Sequence, residues 1–174
     1  ISAENVIDCA LMNSTHGYMK EIDPITDAGT LLLFEISEQK QGQVIKRVDL
    51  PFHYVTWNSA RTFITFDNFK VITTEDGGLK VFYLDPAQRL RVLTVDVSTG
   101  EVANSELKIE SLLPSGTVSG LPARIDIYEY VLAVSYPEDS TIVVMNVETY
   151  ELIKVVYVNP NFFKEAGTEL LRVG

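Results

Sequence analysis

The chain has 174 residues, of which 46% are hydrophobic, and a formal net charge of −10. This length suits one domain with a sizeable core, and the hydrophobic content excludes simple disorder. The excess of acidic residues disfavours binding to nucleic acid through a basic face and binding to anionic membranes, because both surfaces would repel it.

A single cysteine, Cys9, excludes an internal disulfide, which favours an intracellular location in the cytoplasm or nucleus. No apolar run reaches the roughly 20 residues that a membrane-spanning helix needs. We interpret Cys9 as a small buried hydrophobic residue and not as a nucleophile paired with His16 or His53.

Strand patterns dominate the chain. The first segment, SAENVIDCALMNS, fits a helical turn or a strand about equally well. After it, short runs rich in β-branched and aromatic residues alternate with Gly, Pro, Asp, Asn or Ser, which is typical of strands joined by turns. These runs are TLLLFEIS, VIKRVDL, RTFITFD, FKVITTED, LKVFYLD, RLRVLTVDV, ELKIE, RIDIY, YVLAVSY, TIVVMNV and LIKVVYV.

Three further features lie between or after these runs. Residues Leu112–Pro122 contain two Gly and two Pro, and they predict a long connection between sheets.

The pairs Glu75-Asp76 and Glu138-Asp139 stand beside predicted turns. Because Asp in a turn bonds to nearby backbone N–H groups, we interpret these pairs as turn residues and not as catalytic carboxylates. One short helix is predicted within Asn159–Gly174.

Three segments share one pattern of residues. They begin at Leu33, Thr94 and Val144, and these first residues are 61 and 50 positions apart. Each contains an apolar, a polar and an apolar residue, then a polar turn and another apolar run. A strand pair that recurs every ~40–60 residues is typical of β-propeller blades, because a four-stranded blade must stack its faces against neighbouring blades.

A second alignment pairs VITTEDGGLKVFYLDPAQRLRVL with VLAVSYPEDSTIVVMNVETYELIKVV. It matches three strands instead of two, and on the sequence alone we favour it. It makes the segment VLTVDVSTGEVAN an extra hairpin that projects from a blade. The turn of this hairpin, with Ser98, Thr99 and Glu101, is then a candidate contact loop for a partner protein.

The apolar-Asp/Asn-apolar strand ends and the STGE-like and ETYE-like turns resemble WD40-type propeller repeats over residues 30–158. The Trp-Asp pair of that family is Val95-Asp96 or Met145-Asn146 here, and no Gly-His pair precedes each blade. Residues 123–153 also faintly resemble the propeller regions of fungal F-box-type proteins, although no F-box module is evident.

This resemblance implies an all-β fold made of the antiparallel four-stranded blades of a partial β-propeller. Residues 1–174 are then expected to form one all-β domain, a fragment of a larger propeller chain. At ~45–60 residues per blade the length holds three to four blades, whereas closed propellers usually have four to eight. A single β-barrel or β-sandwich is therefore the alternative.

Motifs for catalysis or cofactor binding are missing from the sequence. His16 and His53 are 37 positions apart, and no Cys-x-x-Cys or His-x-x-x-His spacing occurs. The acidic segment Glu21–Gly29 lacks the ligand order of a calcium loop, and there is neither a Gly-x-Ser-x-Gly elbow nor a phosphate-binding glycine loop. The sequence therefore predicts no metal, no cofactor and no identifiable catalytic residue.

Aromatic residues are the other candidates for binding. The segment Pro51–Trp57 holds Tyr54 and the single tryptophan, Trp57, and aromatic residues are enriched at binding hot spots. Core packing is the more frequent role of such residues, and we favour it equally for Pro51–Trp57, Tyr128–Tyr130 and Asn159–Phe163. Tyr54 and Trp57 are nevertheless our aromatic candidates for an interface.

These patterns predict a non-enzymatic protein–protein interaction scaffold that binds another protein through its loops and rim, as part of a multi-subunit complex. Fold-level analogy carries most of this expectation. The alternative is a β-barrel that binds a small molecule in an aromatic-lined pocket. The candidate partner-binding residues are Tyr54, Trp57, Ser98, Thr99 and Glu101.

Overall fold

The computed structural model describes residues 6–22, 25, 28–39, 43–53, 55–57, 63–65, 69–85 and 87–159. In these residues the strands form three four-stranded antiparallel sheets and one two-stranded sheet, without an α-helix. Each four-stranded sheet is open and has two edge strands, so a single closed barrel does not describe the molecule. The predicted all-β class is confirmed. Within the described residues, no helix is both long enough and apolar enough to span a bilayer.

The first sheet has the strand order β1-β2-β3-β4, so each strand pairs with the next one along the chain. Its strands are β1 Val6–Leu11, β2 His16–Ile22, β3 Ala28–Glu35 and β4 Gln43–His53. Within the ambiguous first segment, Val6–Leu11 form a strand. In β3, the consecutive residues Leu31, Leu32 and Leu33 are all buried. Successive side chains of a strand point to opposite faces, so both faces of β3 are covered.

Cys9 lies on β1 and is exposed, so its predicted burial was wrong. The physical reason is its position, because β1 is an edge strand of the first sheet. A small residue on an edge strand is shielded by a neighbouring strand on one side only.

The second sheet has the order β10-β9-β8-β7 and is preceded by the two-stranded sheet β5-β6. Its core is apolar, with Leu79, Val81, Phe82 and Leu93 fully buried. These six strands are β5 Val55–Trp57, β6 Phe63–Thr65, β7 Phe69–Thr73, β8 Leu79–Leu84, β9 Leu90–Val95 and β10 Val102–Glu106.

The third sheet has the order β11-β12-β13-β14. Its inner strand β12 is buried along five consecutive residues, from Leu132 to Tyr136. Its strands are β11 Arg124–Tyr128, β12 Val131–Tyr136, β13 Thr141–Asn146 and β14 Leu152–Tyr157. A connection that includes Leu112–Pro122 joins β10 to β11, which confirms the predicted link between sheets.

The three segments that begin at Leu33, Thr94 and Val144 occupy the same place in their sheets. Each runs from the end of the third strand into the fourth. The first alignment is therefore the correct one, and the alignment favoured on the sequence was wrong. Strand β10 is the fourth strand of the second sheet and not part of an extra hairpin.

A β-bulge strengthens the likeness between the first and third sheets. The β3–β4 register shifts between Leu33 and Phe34, and the β13–β14 register shifts between Val144 and Met145. The unpaired residues are Ile45, the third residue of β4, and Ile153, the second residue of β14. Because bulges bend the strand that carries them, the two fourth strands share a local distortion.

The chain divides into two compact units. Unit 1 comprises Ile1–Asp67, Val71–Lys80 and Leu93–Ala103, and unit 2 comprises Asn68–Lys70, Val81–Val92 and Asn104–Gly174. Within unit 2, the rings of Phe82 and Tyr150 meet edge to face at a centroid distance of 6.4 Å. Also within unit 2, Lys70 Nζ lies 3.6 Å from Asp126 Oδ1.

Candidate functional site

The turn between β9 and β10 is closed by the carboxylate of Asp96. Its Oδ1 accepts hydrogen bonds from Ser98 N at 2.8 Å, from Ser98 Oγ at 2.6 Å and from Thr99 N at 3.1 Å. The Ser98 hydroxyl, followed by the backbone N–H groups of Thr99 and Ser98, holds the pKa of Asp96 below its usual value. Ser98, Thr99 and Glu101 thus share one exposed turn. Their role in partner binding stays a prediction.

The turn between β13 and β14 repeats this arrangement with Asn146 in place of Asp96. Asn146 Oδ1 accepts from Glu148 N at 2.8 Å and from Thr149 N at 2.9 Å. Tyr150 stands where Gly100 stands in the other turn, and both have positive φ, 60° and 73°. Tyrosine is disfavoured in this left-handed region, and the contact of its ring with Phe82 offsets part of that cost.

Asn146→Ala is expected to lower the free energy of unfolding by about 1 kcal/mol, because two backbone N–H groups lose their acceptor. Asn146→Asp is the matched control and is expected to cost less, since Asp96 performs the same role in the second sheet. Urea unfolding of both variants measures the difference. Equal losses for the two variants would show that the side-chain oxygen does not hold the turn.

The turn between β11 and β12 presents two exposed tyrosines. Tyr128 is 51% exposed and Tyr130 is 58% exposed, so the predicted core role of this segment was wrong. The reason is that the two residues after Tyr128 form a tight turn at the end of the sheet, with Glu129 at φ 52°. Val147 N donates to Tyr130 O at 2.8 Å, which brings the β13–β14 turn next to this one.

Acidic residues lie on the same two turns as these tyrosines. Between Arg124 and Lys154 the chain contains no Lys or Arg. Three exposed carboxylates belong to the two adjacent turns. We call this surface the acidic-aromatic end, and it consists of Tyr128, Glu129, Tyr130, Glu148 and Glu151.

At the opposite end of the third sheet, Asp139 accepts hydrogen bonds from the connection between β10 and β11. Its carboxylate accepts from Gly120 N at 2.9 Å, from Ser119 N at 3.0 Å and from Ser119 Oγ at 2.8 Å. The pKa of Asp139 is lowered, first by the Gly120 N–H and then by the groups of Ser119. Asp76 accepts from Thr74 Oγ1 and Gly78 N in the same manner. Asp76 and Asp139 therefore bond to nearby backbone N–H groups, as the sequence predicted.

Tyr136 is a buried phenol on β12. Burial raises the pKa of the Tyr136 phenol, and the carboxylates of Glu110 and Asp139 raise it further. The phenol is therefore neutral near pH 7. Among the described residues, no three His, Cys, Asp or Glu side chains come together in a group able to hold a metal ion.

The aromatic pair singled out in the sequence lies mostly outside the described residues. Tyr54 is not among them, and Trp57 is described only as the last residue of β5, with its Cα opposite that of Phe63. Their role as interface residues stays a prediction. The segment that the structure does expose is Tyr128–Tyr130.

Comparisons with known proteins return only distant structural likenesses. No family model and no curated protein matches the chain. The chain is similar to AztD from Citrobacter koseri, with 14% identity and a TM-score of 0.39 over 82% of this chain and 32% of that one. It is also similar to a protein of unknown function from Bacteroides caccae, with 12% identity and a TM-score of 0.36 over 91% of this chain and 63% of that one. The chain thus spans about a third of AztD, and at these TM-scores neither likeness carries an argument about function.

Proposed function

We propose that this chain is a non-enzymatic binding module built from propeller-like blades, and that it holds a partner protein at the acidic-aromatic end. The observation that carries the proposal is the exposure of Tyr128 and Tyr130 beside three exposed carboxylates. The blade interpretation is supported by the same strand order in three sheets and by the covered faces of β3 and β12.

Tyrosine suits a contact surface of this kind. Its ring supplies a large apolar area with few rotatable bonds, and its hydroxyl forms hydrogen bonds at the wet margin of an interface. Tyr128 and Tyr130 are held by a two-residue turn, so little backbone freedom is lost on binding. The structure thus offers two preordered aromatic anchors.

The negative charge around Tyr128 and Tyr130 indicates which charge the partner segment would carry. Glu129 lies between the two tyrosines, and Glu148 and Glu151 lie on the adjacent turn. Complementary charge steers association and selects among partners. We expect the partner to present a segment in which Lys or Arg alternates with apolar side chains.

The experiment uses two synthetic peptides of equal length, one alternating Lys with Leu and Phe and the other alternating Glu with the same residues. Fluorescence anisotropy with the whole chain is expected to show binding of the basic peptide alone, and higher salt is expected to weaken it. Tyr130→Ala is expected to reduce the affinity about tenfold or more, as loss of an interface anchor does.

A matched pair of charge variants locates the binding. Glu129→Gln and Glu101→Gln remove the same charge from two exposed turns. The first is expected to weaken binding several-fold, and the second is expected to leave it unchanged. Equal effects would mean that the peptide responds only to the net charge of the chain, and the proposed surface would then be wrong.

A further inference from the structure

Tyr150 lies between Glu148 and Glu151 on the β13–β14 turn, in a conformation that is unfavourable for tyrosine. Its φ of 60° places it in the left-handed region, where a residue with a Cβ is strained and glycine is not. A strained residue persists only where the surrounding structure holds it, and such residues gather at ligand clamps and other functional sites. Among the described residues with positive φ, Glu129 on the adjacent turn is another that is not glycine.

The β9–β10 turn shows that tyrosine is not needed to close a turn of this kind. The N–H of Gly100 donates to Asp96 O at 2.7 Å, and the N–H of Tyr150 donates to Asn146 O at 2.9 Å. In both turns a side-chain Oδ1 also accepts hydrogen bonds from the residues two and three positions later. Because glycine closes the one turn with the same bonds, the strained tyrosine of the other has a different role.

That role is visible in the contact of the Tyr150 ring. The ring is half-buried and meets the ring of Phe82 edge to face, at a centroid distance of 6.4 Å and an interplanar angle of 78°. Phe82 lies on β8 and has no exposed surface. Aromatic rings in this arrangement attract each other beyond the effect of the area that they bury. The contact therefore attaches the exposed turn to a fixed point in the core of the second sheet.

The attachment lies between the two carboxylates of this turn. Glu148 precedes Tyr150 by two positions and Glu151 follows it directly, and both are exposed. A turn that is held at this point loses less conformational freedom when a partner binds. It also keeps the two carboxylates in one arrangement, which strengthens their attraction for cationic side chains at matching positions.

We propose that Tyr150 is the positioning residue of the acidic-aromatic end. Its ring, packed on Phe82, holds the turn that presents Glu148 and Glu151 to the Lys or Arg side chains of the partner. The inference rests on the proposed function and adds a specific consequence to it. The affinity for a basic segment depends on a buried residue, Phe82, which the partner does not touch.

Two substitutions of Tyr150 test the role of the ring in binding of the basic peptide. Asn tolerates the left-handed region, so Tyr150→Asn removes the ring and keeps the turn. It is expected to weaken binding about fivefold and to make the dependence on salt shallower, because the carboxylates are no longer held in place. Tyr150→Phe keeps the ring and is expected to bind within about twofold of wild type. Equal losses in the two variants would overturn the proposal.

A substitution of Phe82 separates positioning from direct contact with the peptide. Phe82→Leu keeps an apolar side chain in the core and removes the ring beneath Tyr150, and circular dichroism checks that it folds. It is expected to weaken peptide binding several-fold. Added to Tyr150→Asn it is expected to cause no further loss, because both substitutions remove the same contact. Additive losses, or wild-type affinity in folded Phe82→Leu, would contradict the positioning role.

Amide hydrogen exchange of the chain without peptide tests the contact independently of the proposed function. Tyr150→Asn is expected to speed exchange several-fold at Glu148 and Thr149, which donate to the side chain of the turn, and to leave residues 98–101 unchanged. Unchanged exchange in residues 148–151 would overturn the positioning role. Failure of the wild-type chain to bind the basic peptide would overturn the proposed function instead, so the two failures are distinguishable.

Discussion

Phe82→Ala is expected to lower the free energy of unfolding by about 3–5 kcal/mol, the range for removing a fully buried aromatic ring. Phe82 has no exposed surface, and its ring meets that of Tyr150 edge to face. The variant leaves a cavity within unit 2. It also leaves Tyr150 in the left-handed region at φ 60° without the ring contact that offsets the strain.

Urea unfolding monitored by circular dichroism measures this loss. Val102→Ala is the control, because Val102 is 41% exposed on β10 and its truncation is expected to change the stability by less than about 0.5 kcal/mol. Similar midpoints for Phe82→Ala and Val102→Ala would contradict the packing of Phe82 described above.

Asp139→Ala is expected to lower the free energy of unfolding by about 2 kcal/mol, because bonds to a charged acceptor are worth more than neutral ones. The variant releases the backbone N–H groups of Ser119 and Gly120 and frees the connection that includes Leu112–Pro122. Glu138→Ala removes the same charge from the adjacent exposed residue and is the control. Equal losses in the two variants would assign the effect to charge and not to the hydrogen bonds.

The effect of Asp139 is expected to depend on pH. The Gly120 N–H, followed by the groups of Ser119, lowers the pKa of Asp139 in the folded state. The unfolded chain, in which an Asp titrates near about 4, therefore binds the proton more tightly. The stabilisation by Asp139 is fully present above that value and is lost as the pH falls through the lowered pKa of the folded state. The difference between wild type and Asp139→Ala should thus shrink in acid.

The fold class and the repeat could be predicted from the sequence because alternation and turn chemistry are local properties. The turns at Asp96 and Asn146 are built alike. In each, a side-chain Oδ1 at the end of the third strand accepts a hydrogen bond from the backbone N–H two residues later. The register between repeats was harder to predict. Neighbouring hairpins, such as those closed at Thr74–Gly78 and Asp85–Arg89, have similar turns, so shifting the alignment by one strand matches nearly as many residues.

The candidate surface was less predictable than the fold. Tyrosine is common both in cores and at interfaces, and the more frequent core role favours burial of Tyr128 and Tyr130 when only the sequence is considered. Their exposure depends on the two-residue turn and on the bond from Val147 N to Tyr130 O, which joins residues 17 positions apart.

Amide hydrogen exchange with the basic peptide bound tests most directly whether the third sheet carries the binding surface. The expected result is slower exchange in residues 128–130 and 147–151, with no change in the turn that contains Ser98, Thr99 and Glu101. Slower exchange in that turn, with residues 128–130 unaffected, would contradict the account and return the binding site to the residues suggested by the sequence.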